Sequence, residues 1–263
     1  MSLTFPLKLS NNAWLELVKR SVTNPTLGLP RFPPKSLQAQ WVGNSDEDSV
    51  QEAFSLYNFI SQHRSIDGEI LDFGVGWGRI MRLFLNDVSP DHIYGVDTNS
   101  FILDECRRLD VPGTLLPISE RSTLPFDENK FQIVSAYSVF THISQRNADH
   151  WAAEINRVLQ PGGFFALTLI SGVILRMCID ATEPTAAPWL KPLATWFPDP
   201  REALRLHNAH HFVFAKDRES DDYGWAALPL GHIVNNWGFE VVAFNENLGH
   251  HQAVCLLRKP ASF

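Results

Sequence analysis

The stretch from Glu69 to Leu85, E-I-L-D-F-G-V-G-W-G-R-I-M-R-L-F-L, limits what this chain can fold into more than any other. Ile70, Leu71 and Phe73 form a short apolar run of the kind a buried strand needs. Gly74, Gly76 and Gly78 follow at alternate positions, where bare backbone permits a tight turn and the close approach of a ligand. Ile80, Met81, Leu83, Phe84 and Leu85 then resume at helical spacing, with Arg79 and Arg82 on the other face. Strand, glycine turn and helix in this order predict a nucleotide site lined by bare backbone N–H groups and a helix N-terminus. The dinucleotide fingerprint requires a third glycine three residues after Gly76, and Arg79 stands there instead. Asp72, two residues before the first glycine, repels a pyrophosphate. It suits a ligand carrying an ammonium and a sulfonium.

The chain continues as alternating strands and helices. Ile93 to Asp97 reads as a second strand. Its terminal acid lies beside the glycine turn in a doubly wound sheet, where it can accept both hydroxyls of a ribose. Asn99 and Ser100 cap a helix through Arg108, and Thr114 to Ile118 is a short third strand. Leu124-Pro125-Phe126 precedes a fourth strand, in which Gln132 reads as a solvated position. Ser135 to Ile143 leaves that strand as the floor of a site. Asp149 to Leu159 is an amphipathic helix that Gln160-Pro161-Gly162-Gly163 is expected to terminate. Phe164 to Ile170 is apolar throughout, as a central strand is. After a last helix, Pro229 to Trp237, the runs 239–244 and 252–258 can pair antiparallel.

Two segments stand outside this alternation. Residues 1–48 predict an arm: a short helix over Asn12 to Val18, then an extended or turning path through Pro25, Pro30, Pro33 and Pro34. Leu27, Leu29, Phe32, Leu37 and Trp41 make it too apolar for a free linker, so it is expected to pack on the domain. Ser45-Asp46-Glu47-Asp48 offers an N-cap to a helix from about Ser49 to His63. Residues 172–228 interleave five prolines with Trp189, Trp196, Phe197 and Trp225, and predict an aromatic lid that binds an acceptor. The expected divisions are thus 1–48, a core over 49–171, the lid over 172–228, and 229–263 completing the core sheet.

These landmarks resemble the class I S-adenosylmethionine-dependent methyltransferases. The family's first motif runs apolar, apolar, Asp/Glu, apolar, G-x-G-x-G, as residues 70–78 do. The acid at 97, L-P-F at 124–126 and L-x-P-G-G at 159–163 agree with it. The proline-rich arm, S-V-F-T-H-I at 138–143 and H-Q-A-V-C-L-L-R-K-P near the end resemble bacterial glycan and natural-product methyltransferases. The resemblance implies an α/β, Rossmann-like doubly wound seven-stranded sheet with an antiparallel last strand. It implies S-adenosyl-L-methionine as cofactor and a small-molecule or glycan acceptor, methylated on oxygen. The cofactor residues it implies are Asp72, Gly74, Gly76, Gly78, Asp97, Thr98, Ser119, Glu120, Tyr137 and Ser138. Glu120 stands where the family has an Asp against the adenine amine.

Transfer of a methyl to a hydroxyl requires alignment of the nucleophile and a group to take its proton. Histidine suits that task near neutral pH. The candidates are His142, His210, His211, Asp222, His250 and His251, with His142, His211 and Asp222 foremost. Against these stand surface or core histidines, a Thr-His cap at a helix start, and tryptophans that merely fill a small core. No H-x-H or H-E-x-x-H spacing indicates a metal. A net charge of −7 disfavours broad nucleic-acid binding. The three scattered cysteines indicate neither a disulfide framework nor a zinc site, which fits a reducing cytoplasm. No apolar run reaches the roughly 20 residues of a membrane span, and no signal peptide is discernible. A protein or RNA methyltransferase, and a non-catalytic cofactor-binding module, remain as alternatives. Oligomeric state is left open.

Overall fold

The computed structural model describes residues 3–217, 220–246 and 252–261, so His250 and His251 lie outside the described residues. In chain order the elements are α1 (Asn11–Thr23), α2 (Lys35–Val42), α3 (Asp46–His63), β1 (Ile70–Phe73), β2 (Ile93–Asp97), α4 (Ser100–Arg108), β3 (Thr114–Pro117) and β4 (Phe131–Ala136). They continue as α5 (Gln145–Val158), β5 (Leu159–Leu169), α6 (Gly172–Ala181), α7 (Pro200–Asn208), β6 (Val213–Lys216), β7 (Gly224–Ala227), α8 (Leu230–Asn236), β8 (Glu240–Asn245) and β9 (Ala253–Arg258). Seven strands form one sheet in the order β3-β2-β1-β4-β5-β9-β8, and β6 and β7 form a separate hairpin. This is the Rossmann-like, doubly wound sheet expected from the sequence. The chain comprises two compact units, Met1–Pro125 with Lys130–Ser135, and Phe126–Asn129 with Ala136–Phe263.

In the first unit β1 is buried along its whole length. It pairs in parallel with β2, from Ile70↔Ile93 to Phe73↔Val96, and with β4, from Ile70↔Ile133 to Asp72↔Ser135. A strand flanked on both sides and covered on both faces needs a continuous apolar run, which is why I-L-D-F carries a single polar residue.

The sequence after the glycine turn does not form the expected amphipathic helix. Met81–Asn86 is a six-residue 3-10 helix in which every residue is buried, Arg82 included. The N-terminal segment covers the side that would have faced water. Trp14 Nε1 donates to Leu83 O at 2.9 Å, and Lys8 N–H donates to Asn86 O at 2.8 Å. The Asn86 amide exchanges hydrogen bonds with the Leu9 backbone in both directions. These carbonyls serve the arm rather than an α-helical ladder.

The proline cluster turns and runs extended as expected, and a helix that the sequence did not announce follows it. Pro34 sits at the N-cap of α2, and Gly43, at φ 77°, closes that helix. α3 begins at Asp46, three residues earlier than expected, and Ser45 makes no side-chain cap bond. Gln38, buried in α2, supplies the cap: its Oε1 accepts from Asp46 N–H at 2.8 Å and Ser49 Oγ–H at 3.1 Å. Gln132 is not the solvated residue expected. Its Oε1 is buried beside Gly68 without a hydrogen-bond partner among the described residues.

In the second unit β9 runs antiparallel to β5 (Phe164↔Arg258 to Leu169↔Ala253) and to β8. Pro161-Gly162-Gly163 does not terminate a helix. α5 ends at Val158 with Leu159 already extended, and the glycines lie within β5. Gly162, at φ 77°, donates to Lys259 O, and Gly163 O accepts from Lys259 N–H. The left-handed freedom of Gly162 shapes this edge of the sheet. The segment after β5 folds as α6, α7 and the β6–β7 hairpin around a small core that includes Leu175, Cys178, Leu193 and Phe197. Trp196 and Trp225 pack against this core and stack on each other at 3.9 Å. Among the described residues no helix is long and apolar enough to cross a membrane.

Candidate functional site

The first unit brings the glycine turn and the end of β2 together. Gly74 and Val75 N–H both donate to Val96 O, at 2.9 Å. Gly76 N–H donates to Asp97 Oδ2 at 3.0 Å, and Asn99 N–H to Asp97 Oδ1 at 2.9 Å. Gly78 N–H closes the turn on Val75 O. The turn therefore does not present the bare amides expected of an anion nest. Gly74, Val75, Gly76 and Gly78 have spent theirs within the chain, one of them on a carboxylate. Those four amides are closed to a pyrophosphate, and the Asp97 carboxylate opposes its charge.

The same geometry suits a ligand that brings hydroxyls. Each oxygen of the half-buried Asp97 takes one of these N–H bonds and keeps lone-pair capacity for another donor. Burial raises its pKa, while the amides of Asn99, Gly76 and Thr98 pull it back down. A Cβ built on Gly76 meets nothing within 4 Å, so the turn opens on free space at that residue. Gly74, Gly76 and Gly78 all have positive φ, the region glycine enters without strain. The turn thus fits a nucleoside ligand free of phosphate. Thr98, Ser119 and Glu120 are exposed on the loops after β2 and β3.

Asp72 is placed differently from its sequence expectation. It is 1% exposed, and its carboxylate reaches chain groups rather than open space. Oδ2 accepts from Met81 N–H at 3.0 Å and Oδ1 from Ser135 Oγ–H at 2.8 Å. Burial pushes its pKa up to about 7, against the opposing pull of those two hydrogen bonds. It ties β1 and β4 to the end of the turn.

The second unit holds the remaining candidates. Tyr137 is buried. Ser138 takes a left-handed conformation at φ 60°; its N–H donates to Thr168 Oγ1 at 2.7 Å, and its Oγ accepts from Gln252 Nε2 at 2.9 Å. His142 Nδ1 lies 2.9 Å from Gly224 O. A carbonyl can only accept, so Nδ1 carries the proton and Nε2 bears the lone pair. Tyr223 stacks on the ring at 5.3 Å and Trp225 leans on it at 4.5 Å. Burial lowers the His142 pKa, which keeps the ring neutral at pH 7. Asp222 acts at the start of α5: its Oδ1 accepts from Ser144 Oγ–H at 2.6 Å, and its carbonyl from Ser144 N–H. His142 and Asp222 therefore belong to one strip, joined by the Ile143↔Tyr223 bridge. His211 is exposed after α7, and its backbone N–H donates to Leu206 O. Among the described residues no group of His, Cys, Asp and Glu forms a metal site.

Residues 70–163 match a family model described as a methyltransferase domain. Over these residues the chain is similar to class I S-adenosylmethionine-dependent methyltransferases. The family's cofactor, S-adenosylmethionine, is a nucleoside without phosphate. A phthiotriol/phenolphthiotriol dimycocerosates methyltransferase of Mycobacterium ulcerans is 27% identical over 129 residues, 47% of this chain and 45% of that protein. A fatty-acid O-methyltransferase of Mycolicibacterium smegmatis is 27% identical over 143 residues, 54% of this chain and 50% of that protein. The chain thus spans about half the length of the curated relatives it matches. A solved protein of Pyrococcus horikoshii shares the fold, with a TM-score of 0.60 at 18% identity over 82% of this chain and 92% of that one.

The sequence reading missed what holds the methyltransferase turn in place. The carbonyls of Gly76, Trp77 and Gly78 all face chain donors: Cys106 Sγ–H at 3.0 Å, Arg82 Nη2 at 3.4 Å and Arg82 Nε at 2.9 Å. Burial raises the Cys106 pKa to about 12, so the thiol keeps its proton and donates. No motif marks either residue. The available signal was two arginines inside an otherwise apolar run.

Proposed function

We propose that the protein transfers a methyl group from S-adenosylmethionine to an oxygen of a small-molecule or glycan acceptor. The observation that carries the reading is the Gly76 N–H bond to Asp97 Oδ2 at 3.0 Å, inside a segment that matches a methyltransferase domain. A turn that spends its amide on its own carboxylate is suited to a ribose and unsuited to a phosphate. When bound, S-adenosylmethionine supplies a methyl carbon made electrophilic by its sulfonium. In this reading Asp97 accepts the ribose hydroxyls and Gly76 keeps the approach open. Asp72, deeper in the fold, contributes its field rather than a direct contact.

His142 is assigned as the group that takes the acceptor's proton at Nε2, with Gly224 O fixing the tautomer. Asp222 is assigned a supporting role through Ser144, and His211 none. The reading of the acceptor draws support from the series Trp196, Trp225, His142, Tyr223, whose last ring is 54% exposed and offers a flat face to a sugar or an apolar group. The similarity to a fatty-acid O-methyltransferase favours oxygen as the acceptor atom.

The test has two arms. Calorimetry with S-adenosylmethionine should detect binding, weakened more than about tenfold by Asp97→Ala because charge-assisted contacts are lost. Transfer of labelled methyl should then be followed across sugars, phenols, fatty acids, peptides and RNA. Label on a small hydroxyl or carboxyl supports the reading. Label on peptide or RNA overturns the acceptor class, and no binding overturns the cofactor assignment.

A further inference from the structure

We infer that Arg82 is a positioning residue that couples the N-terminal arm to the glycine turn, so that arm docking sets affinity for the cofactor. The inference rests on the cofactor reading above. Arg82 is 3% exposed, and among the described residues it has no carboxylate partner. Four carbonyls surround its guanidinium instead. Two belong to the arm, Pro30 O at 3.1 Å and Arg31 O at 3.2 Å from Nη1. Two belong to the turn, Gly78 O at 2.9 Å from Nε and Trp77 O at 3.4 Å from Nη2. The rings of Phe32, from the arm, and Trp77, from the turn, flank the guanidinium at 4.2 and 5.1 Å. Each pair of contacts is thus matched, one from the arm and one from the turn.

The planar fork of arginine can serve four acceptors and two ring faces at once, which the ammonium of lysine cannot. A buried cation is costly unless its donors are satisfied, and burial lowers the Arg82 pKa to about 10. If the arm leaves, the guanidinium loses two carbonyls and a ring together, and its grip on Trp77 O and Gly78 O has nothing to brace against. Those carbonyls fix two successive peptide planes of the turn. Gly76, which places its N–H on Asp97, lies immediately before them. Supporting contacts of this kind hold a binding group in its productive geometry. Because coupling is reciprocal, cofactor binding must in turn tighten the arm.

The test uses the full chain and three variants: Arg82→Lys, Arg82→Met and Phe32→Ala. Circular dichroism and thermal unfolding report whether each folds. Calorimetry gives its S-adenosylmethionine Kd. Hydrogen exchange follows the Arg31 amide, which donates to Leu109 O in the docked arm at 2.9 Å. In the wild type, cofactor should slow exchange at Arg31. In folded Arg82→Lys the Kd should rise roughly tenfold, within the usual range of coupling between sites, and the exchange response should vanish. Phe32→Ala, which leaves the arginine in place, should shift both readouts in the same direction and keeps the test open if Arg82→Met does not fold. Variants that unfold at lower temperature yet bind cofactor with wild-type affinity make Arg82 a structural residue only and overturn the inference. A wild type that binds no S-adenosylmethionine overturns the cofactor reading, and this inference with it.

Discussion

Replacing Asp72 by Asn should make the protein more stable at alkaline pH while impairing the proposed cofactor site. The carboxylate is buried, and its pKa is raised from 3.8 to about 7. A raised carboxylate pKa means the folded state binds a proton that the unfolded state releases. The stabilisation from that proton is complete below about pH 4 and is lost as pH rises through about 7. Three pKa units at about 1.4 kcal/mol each set a cost of about 4 kcal/mol for holding the ionised group at pH 8. Of this, roughly 2–3 kcal/mol develops between pH 5 and pH 8. Asn is close to isosteric: its Oδ1 can accept from Met81 N–H, and its Nδ2 can donate to Ser135 Oγ. Urea unfolding of both proteins at pH 5 and pH 8 gives the difference directly. The stability gain of Asp72→Asn should be larger at pH 8 than at pH 5 by roughly 2–3 kcal/mol. A gain that does not depend on pH, or a loss at pH 8, would show that Asp72 is not a costly buried carboxylate. Such a site sacrifices stability for charge, a trade common where function needs a strained group.

Three further outcomes follow from the geometry. Gly78→Ala should cost about 1–3 kcal/mol, because an alanine at φ 80° is strained and its Cβ comes within 2.7 Å of Val111 Cγ1. Adding Val111→Ala should recover only the steric share in urea unfolding, and full recovery would refute the backbone argument. Phe197→Ala, at a side chain 2% exposed in the core of the α6–α7 segment, should cost about 3–5 kcal/mol in the same assay. His142→Gln should leave the fold intact and lower kcat about 10²–10⁴-fold. Because burial depresses its pKa, the acidic limb of kcat in the wild type should fall below pH 6.5. A limb above that value would point to a different base.

Much of the sheet was legible because its signals are local. I-L-D-F, I-Y-G-V-D and the closing antiparallel pair each carry their own period, and three alternate glycines mark a turn that runs through positive φ. The errors arose where distant chain decides. Met81–Asn86 has the spacing of an amphipathic helix, yet Trp14 and Lys8 take its carbonyls from more than sixty residues away. Helical spacing puts Arg82 on the face opposite the apolar residues, and nothing nearby announces that Pro30, Arg31 and Phe32 will enclose it. Pro161-Gly162-Gly163 was read as a helix stop, but Lys259 claims those glycines for the sheet. His142 was located by its motif. Its tautomer is set by Gly224 O, some eighty residues further on. Asp222 was chosen for its charge, and Ser144 has already engaged it.

The position of β9 between β5 and β8 carries a consequence for how the chain is made. β8 is synthesised before β9, yet its place in the sheet is reached only through β9. Until Ala253–Arg258 has left the ribosome, β5 presents an unpaired edge beside Phe165, Leu167 and Leu169, all of them buried in the finished fold. An open apolar edge is a template for pairing with another chain. A nascent or truncated form ending before Ala253 is therefore the species most prone to aggregate, and the six residues of β9 act as the fold's own protection against it.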